Sequence, residues 1–285
     1  SLDIFIVANG ASKAGADYDM LFGIGDYSNG LWIARHQGNQ GMYVYNNGAN
    51  LLSTNGDLPN TGYSAKIFEY WKNNGVSAKI LWGNILKGTA VHGNFTNAPY
   101  YIGYGGFPYQ GYYKGDIAEI LLYPSALNDA DRAQVGAYLQ QQYGIPYIVN
   151  KIPTMTSDTA PSGIVTYGHS AAGMLGWLAF DGNDATYWNA GPNPNTFLCY
   201  QLPTAKVFTG YYIKSLYHND YSPTAWTIQA SNNGIDWTVL DTQTGQDCKF
   251  GNSYMLATTG SYIKYKIVIT AAQNNNPTIQ TLMFS

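Results

Sequence analysis

Between Gly115 and Pro146 the sequence reads GDIAEILLYPSALNDADRAQVGAYLQQQYGIP, and this stretch limits the fold more than any other. Ile117 to Tyr123 is an apolar run of strand length, and Pro124 and Ser125 end it. The spacing then predicts a helix. Asn128 stands as N-cap with Asp131 three residues on, acids fill the first turn, and Val135, Tyr138, Leu139 and Tyr143 recur at helical spacing. Gly144 suits a left-handed C-cap, and Pro146 cannot continue the helix. Period-2 patterns lie before and after, so this one helix closes a β-domain over 1–150, and a second domain follows over 151–285.

Composition supports an all-β chain. Of 285 residues only 11% are charged and 15% are aromatic, with 26 Tyr and 32 Gly, which is too hydrophobic for disorder and too rich in turn formers for a helical bundle. That length suits two domains, each able to bury a core. A net charge of -3 and only two arginines, Arg35 and Arg132, leave little to attract phosphates, so nucleic acid is not an expected partner. The sequence contains no apolar run long enough to span a bilayer, and membrane insertion is not expected. The start, SLDIFIVANG, already has the character of a mid-strand and carries neither a basic leader nor a cleavage site.

Residues 2–8, 20–25, 30–36 and 41–45 form consecutive strand patterns separated by Gly, Asn and Asp clusters. From Tyr63 to Trp71 the pattern alternates, with Ala65, Ile67, Glu69 and Trp71 on one face and Lys66, Phe68 and Tyr70 on the other. Asn73-Asn74-Gly75 then predicts a hairpin into residues 76–82, because Asn and Gly accept the positive φ of tight hairpin turns. The segment PYYIGYGGFPYQGYYKG, 99–115, is read as a strand, a Gly loop and a strand whose Tyr rings cover the sheet edge; an aromatic platform for a sugar ring is the alternative. In the second half, strands are expected over 196–202, 210–217, 225–231, 237–242, 262–270 and 278–284.

Two family resemblances accompany these patterns. GYYKGDIAEILLYPSALNDADRAQVGAYLQQQYGI resembles the closing strand and helix of laminin-G-like, concanavalin-A-like sandwiches. WLAFDGNDATYW, VFTGYYIKSLY, PTAWTIQASNNGIDWTVLDT and YIKYKIVIT, in that order, resemble a discoidin-like domain, the galactose-binding-like sandwich of coagulation factors and carbohydrate-binding modules, over about 155–285. The fold expected is therefore two β-sandwich (jelly-roll) domains with one helix closing the first. The pairing resembles a phage tail fibre or other cell-surface adhesin. This resemblance implies a virion tail or an extracellular, cell-surface location, and a homo-oligomer, a trimer, or association with other tail or surface proteins.

The residues that could carry chemistry are few. A glycosidase needs two carboxylates at fixed separation, but the chain has only two glutamates, Glu69 and Glu119, and DIAEILLY lacks the acidic strand of sandwich glycosidases. Glu119 is expected to pair with a Lys or a backbone amide. Nucleophile elbows, phosphate loops and His-x-x-x-His pairs are also missing, so a non-catalytic protein is expected. Cys199 and Cys248 have no metal-ligand spacing and are read as free thiols, a single bridge being the alternative.

Two loops stand out. Asp181-Gly182-Asn183-Asp184-Ala185-Thr186 gathers oxygen-bearing side chains around a Gly, which suits a hard cation or a metal-free Asx turn. The discoidin resemblance implies a structural Ca²⁺ at Asp181, Asn183, Asp184 and Thr186, although Thr281 falls where those modules place an acidic ligand. Tyr217-His218-Asn219-Asp220-Tyr221-Ser222-Pro223 concentrates a ring, an imidazole, an amide and a carboxylate on one loop, the mixture that sugar recognition wants. His218, Asn219, Asp220 and Tyr221 are therefore ligand candidates, with Tyr187, His169 and Trp177 at the same end. The resemblance assigns Trp188, Trp226 and Trp237 to the core. A cell-surface glycan is the expected partner; a structural spacer role is the alternative, and a polysaccharide-degrading enzyme the remote one.

Overall fold

The computed structural model describes residues 1–11, 18–25, 30–36, 41–46, 49–53, 63–73, 78–90, 99–104, 112–216 and 221–285. Among the described residues the chain is all-β with one α-helix, and it divides into two compact units, Ser1–Tyr147 and Ile148–Ser285.

The first unit contains β1 (Leu2–Gly10), β2 (Tyr18–Ile24), β3 (Leu31–His36), β4 (Gly41–Asn46), β5 (Ala49–Ser53), β6 (Tyr63–Lys72), β7 (Ala78–Trp82), β8 (Ile85–Ala90), β9 (Tyr100–Ile102), β10 (Ile117–Tyr123) and α1 (Asp129–Tyr143). They form two antiparallel sheets, ordered β10-β1-β6-β7-β8 and β5-β4-β3-β2-β9. Ile4, Ile6, Phe68, Tyr70 and Ile80 of the first sheet pack with Leu21, Ile24, Leu31, Ile33 and Val44 of the second. The alternate residues Phe5, Val7 and Ile67 pack with Leu139, Tyr147, Val135 and Tyr143 of the helical segment. Strand β1 is therefore covered on both faces, which explains why LDIFIVA carries almost no polar residue. Each large apolar side chain so buried contributes about 1.5–3 kcal/mol.

The helix is fixed by its caps and by a buried ion pair. Asn128 accepts from the Asp131 amide at 2.9 Å, and Gly144 takes φ 65°, which only Gly adopts without strain. At Gly136 a β-carbon would lie 2.1 Å from the Tyr147 ring, so the helix approaches that ring only because the residue is glycine. Arg132 donates through Nε to Glu69 and also reaches Asp129 at 3.0 Å and Asn84 at 3.1 Å, while the Tyr147 hydroxyl donates to Glu69 at 3.1 Å. Burial works against the guanidinium charge, but the hydrogen bond and attraction to Glu69 hold Arg132 above its ordinary value. Burial first, and then the Glu69 charge, push the fully enclosed Asp3 up to about 8. Arg35 forms a second buried pair, with Asp19, and also donates to the Ala11 carbonyl at 3.1 Å.

Three expectations for this unit change. Tyr138 lies outside the apolar stripe, 48% exposed, because its hydroxyl donates to Glu119 at 3.2 Å; Tyr143 donates to the same carboxylate at 3.0 Å. Glu119 thus meets tyrosine hydroxyls, not a Lys or an amide. Strands β5 and β8 lack the periodicity that would announce them. In the Tyr-rich segment, β9 pairs with β2, and Tyr101 stacks on Trp32 with ring centroids 5.4 Å apart. Residues 105–111 of that segment lie outside the described residues.

The second unit contains β11 (Ile164–Tyr167), β12 (Trp188–Asn189), β13 (Thr196–Val207), β14 (Gly210–Lys214), β15 (Pro223–Ser231), β16 (Thr238–Gln243), β17 (Asn252–Met255), β18 (Ser261–Ala272), β19 (Thr278–Ile279) and β20 (Thr281–Phe284). A five-stranded sheet, β11-β13-β18-β15-β16, and a three-stranded sheet, β17-β14-β20, are joined by the ribbon β12-β19. Leu198, Tyr200, Trp226, Ile228, Tyr265 and Ile267 share one core with Tyr211, Ile213, Leu282, Phe284 and Trp188. Inside it, the Trp226 indole donates to the Tyr211 hydroxyl at 2.9 Å, and that hydroxyl donates to Asp241 at 2.7 Å. Burial and the Asp241 acceptor raise the Tyr211 hydroxyl above its ordinary value, so it stays protonated.

Trp188 and Trp226 are core residues, but Trp237 is not. It is half-buried, its indole donates to the Gly234 carbonyl at 3.1 Å, and the Lys266 ammonium lies 3.6 Å from its ring centroid. Lys266 alternates on β18 with the buried Tyr265 and Ile267, so its contact with Trp237 puts that ring on the side of the sheet away from the core. Cys199 and Cys248 are both buried and unbridged, and burial pushes the Cys248 thiol up to about 12.

Candidate functional site

The ribbon β12-β19 organises one end of the second unit. Trp188 pairs with Ile279 and Asn189 with Thr278. The Trp188 indole donates to the His169 carbonyl at 2.9 Å, and the Ala171 amide donates to the Asn189 carbonyl at 2.8 Å, which ties segment 169–171 to β12. From the other side, the Thr278 amide donates to the Tyr221 carbonyl at 3.0 Å, and the Ser215 hydroxyl bonds Thr278 at 2.8 Å. Segments carrying His169, Tyr187 and Tyr221 thus meet at one ribbon, although they are 18 and 34 residues apart in sequence.

His169 is exposed, and Tyr187 and Tyr221 are half-buried, so all three present surface. Trp177 is placed differently. It lies on a 3-10 helix, Gly176–Phe180, and packs half-buried against the main core. His218, Asn219 and Asp220 lie outside the described residues. Asn189, which the sequence did not single out, caps the end by accepting from the Gly191 amide at 2.6 Å. Asn274 and Asn275, with φ 50° and 53°, form a left-handed turn whose Gln273 amide donates to the Ser222 carbonyl at 2.9 Å. The run QNNN is the sequence signal for that turn, since Asn tolerates positive φ best after Gly.

The loop over 181–186 adjoins the same end. Asp181 accepts from the Asn183 amide at 2.9 Å and the Thr186 hydroxyl at 2.5 Å, and Asn183 accepts from the Ala185 amide at 3.0 Å. Asp184 is bound to other elements. Lys214 donates to its carboxylate at 2.6 Å and Thr281 at 3.3 Å, while the Gln280 amide donates to its backbone carbonyl. A Ca²⁺ ion takes six to eight oxygen ligands, and its charge is met by carboxylates. Here one of the two carboxylates is already paired with an ammonium, and the other carboxylate and the Asn183 amide close the loop on itself. Among the described residues there is no group of three or more His, Cys, Asp or Glu side chains suited to a metal. The donor set of Asp181, Asn183, Asp184 and Thr186 does not fit a divalent cation.

Comparison with known proteins bears on this unit. Residues 166–282 match the F5/8 type C domain family. Among solved structures, the chain is similar to the family 32 carbohydrate-binding module of C. perfringens NanJ in complex with galactose, at 17% identity and TM-score 0.40, covering 43% of this chain and 92% of that one. It is similar to chitosan-binding module 1 of a chitosanase/glucanase from Paenibacillus sp. IK-5, at 17% identity and TM-score 0.39, covering 45% and 98%. A third is a Clostridium perfringens family 32 module in complex with GalNAc-β-1,3-galactose, at 12% identity and TM-score 0.39, covering 43% and 94%. No curated protein matches the chain. The second unit is therefore built on an F5/8 type C, discoidin-like domain spanning residues 166–282.

Proposed function

We propose that the second unit is a non-catalytic glycan-binding module and that the chain attaches a phage tail or a cell surface to host glycans. The observation that carries this reading is the convergence of His169, Tyr187 and Tyr221 on one ribbon at the loop end of an F5/8 type C domain. Aromatic faces against sugar C–H patches, with imidazole and amide groups for the hydroxyls, suit a neutral sugar. Charge points the same way. Both arginines of the chain belong to the first unit and are buried in ion pairs, and Lys214 is held by Asp184. The first unit is read as a laminin-G-like, concanavalin-A-like sandwich that presents the module. Neither glutamate supports hydrolysis: Glu69 is 1% exposed and paired with Arg132, and Glu119 is held by two tyrosines.

A shallow loop surface buries little area, so each site binds weakly, and attachment relies on several copies in a homo-oligomer, a trimer for a tail fibre. A spacer role has one observation in its favour. Tyr100 and Ile102, 57% and 60% exposed, lie on the edge strand β9, where another subunit could pack. A glycan array with the full chain and with a His169→Ala, Tyr221→Ala double variant decides between them. Binding by the parent that the double variant loses supports the glycan reading. A blank array from a parent that forms stable oligomers favours the spacer.

A further inference from the structure

We infer that the Lys214 ammonium takes the place of a divalent cation in this domain and makes its loop end independent of metal. The loop over 181–186 must be pinned to the rest of the sandwich, because the β12-β19 ribbon begins two residues after it. Three side chains do the pinning, and all act on Asp184. Lys214 contacts one carboxylate oxygen at 2.6 Å, Thr281 the other at 3.3 Å, and Gln280 its backbone carbonyl. Lys214 is the last residue of β14, Thr281 is its register partner on β20, and the Gln280 amide donates to the Lys214 carbonyl at 2.8 Å. The ammonium therefore stands where loop, β14 and β20 meet.

Charge explains why a cation is excluded. A divalent ion at this junction is held best where several carboxylates face it. Strand β20 supplies the neutral Thr281 instead, and the single positive charge of Lys214 already balances Asp184. Adding Ca²⁺ would put two units of positive charge beside an ammonium, with the Asp181 carboxylate, itself engaged by the Asn183 amide and the Thr186 hydroxyl, as the one further anion in the loop, and like charges so placed repel. Lys214 also immediately precedes Ser215, whose hydroxyl holds Thr278 in the ribbon, so the ion pair is tied into the frame of the candidate ligand end.

The test uses the full chain and two variants, with Ca²⁺ and a chelator as probes. For the parent, melting of the second unit is expected to be unchanged by excess chelator or by millimolar Ca²⁺, and calorimetric titration with Ca²⁺ should show no saturable heat. Lys214→Ala combined with Thr281→Glu restores an acidic ligand on β20 and removes the ammonium. That variant is expected to gain saturable Ca²⁺ binding and a melting temperature that rises by about 5 °C or more at 100-fold excess over its dissociation constant, reversed by chelator. Lys214→Met alone, which keeps the aliphatic stem, serves as the folding control and should melt within a few degrees of the parent, since Thr281 and Gln280 still hold Asp184. Saturable Ca²⁺ binding by the parent, or a chelator-induced fall in its melting temperature, overturns the inference. So does a well-folded double variant that remains indifferent to Ca²⁺.

Discussion

The first unit holds its sheets and helix together with guanidinium–carboxylate pairs inside the fold, whereas the second uses an indole–hydroxyl–carboxylate chain through Trp226, Tyr211 and Asp241. The difference has a functional side. Guanidinium is the group best matched to carboxylate and phosphate ligands, and this chain places both of its guanidiniums in the first unit, shut away from solvent. In the proposed function, recognition in the second unit falls to the rings of Tyr187 and Tyr221 and the imidazole of His169.

Removing a partner from each kind of network should break this comparison most sharply. Arg132→Met leaves Glu69 buried without its cation and should cost the first unit about 3–5 kcal/mol in urea unfolding, with the second unit unmoved. Adding Glu69→Leu should recover much of that loss, because it is the orphaned charge that destabilises. Tyr211→Phe is the counterpart. It leaves the Trp226 indole without its acceptor and Asp241 with the Gln243 amide as its remaining donor, and should cost about 1–3 kcal/mol, confined to the second unit. Equal losses in both units from either variant would mean that they unfold as one body.

A pH series sharpens the contrast without removing a side chain. Asp3 is raised from an ordinary 3.8 to about 8, first by burial and then by Glu69. Its folded-state value lies above its unfolded one, so the stabilisation is complete below pH 4 and is lost as pH rises toward 8. First-unit stability should therefore fall across that window by at most about 1.4 kcal/mol per pH unit, and Asp3→Asn should flatten the curve. Smallest of all, His169→Ala should shift second-unit stability by no more than about 0.5 kcal/mol, as exposed loop changes do.

What could be read from the sequence was mostly local. The helix and both caps follow from Asn128, Asp131 and Gly144, which act on backbone groups within four residues. Strands with clear alternation, such as 63–71, were legible for the same reason. Edge strands were not: ILKGTA and NSYM border a sheet on one side only and need no apolar rhythm. Trp237 was misassigned because the resemblance placed it by family position, whereas its surroundings in this chain are polar, the Lys266 ammonium and the Gly234 carbonyl. Both buried arginine pairs were invisible, since Arg132 and Glu69 are 63 residues apart. For the loop over 181–186, composition alone was ambiguous. Asp, Asn, Gly and Thr make a cation loop and a metal-free turn equally well, and the deciding residue, Lys214, lies 30 positions beyond Asp184.

The double coverage of β1 has a consequence for how the chain is made. Both hydrogen-bonding edges of β1 wait for partners far downstream: β6 at Tyr63–Lys72 and β10 at Ile117–Tyr123. At about 5–20 residues per second, the ribosome needs roughly 6–25 s after making Leu2 to deliver Tyr123. Until Tyr123 is made LDIFIVA keeps at least one open edge, and until Lys72 is made it keeps both, the kind of segment that pairs with any other chain it meets. The first unit is thus the slow and vulnerable part of biosynthesis, and a chaperone that holds nascent apolar strands would act there before the discoidin-like domain has been synthesised.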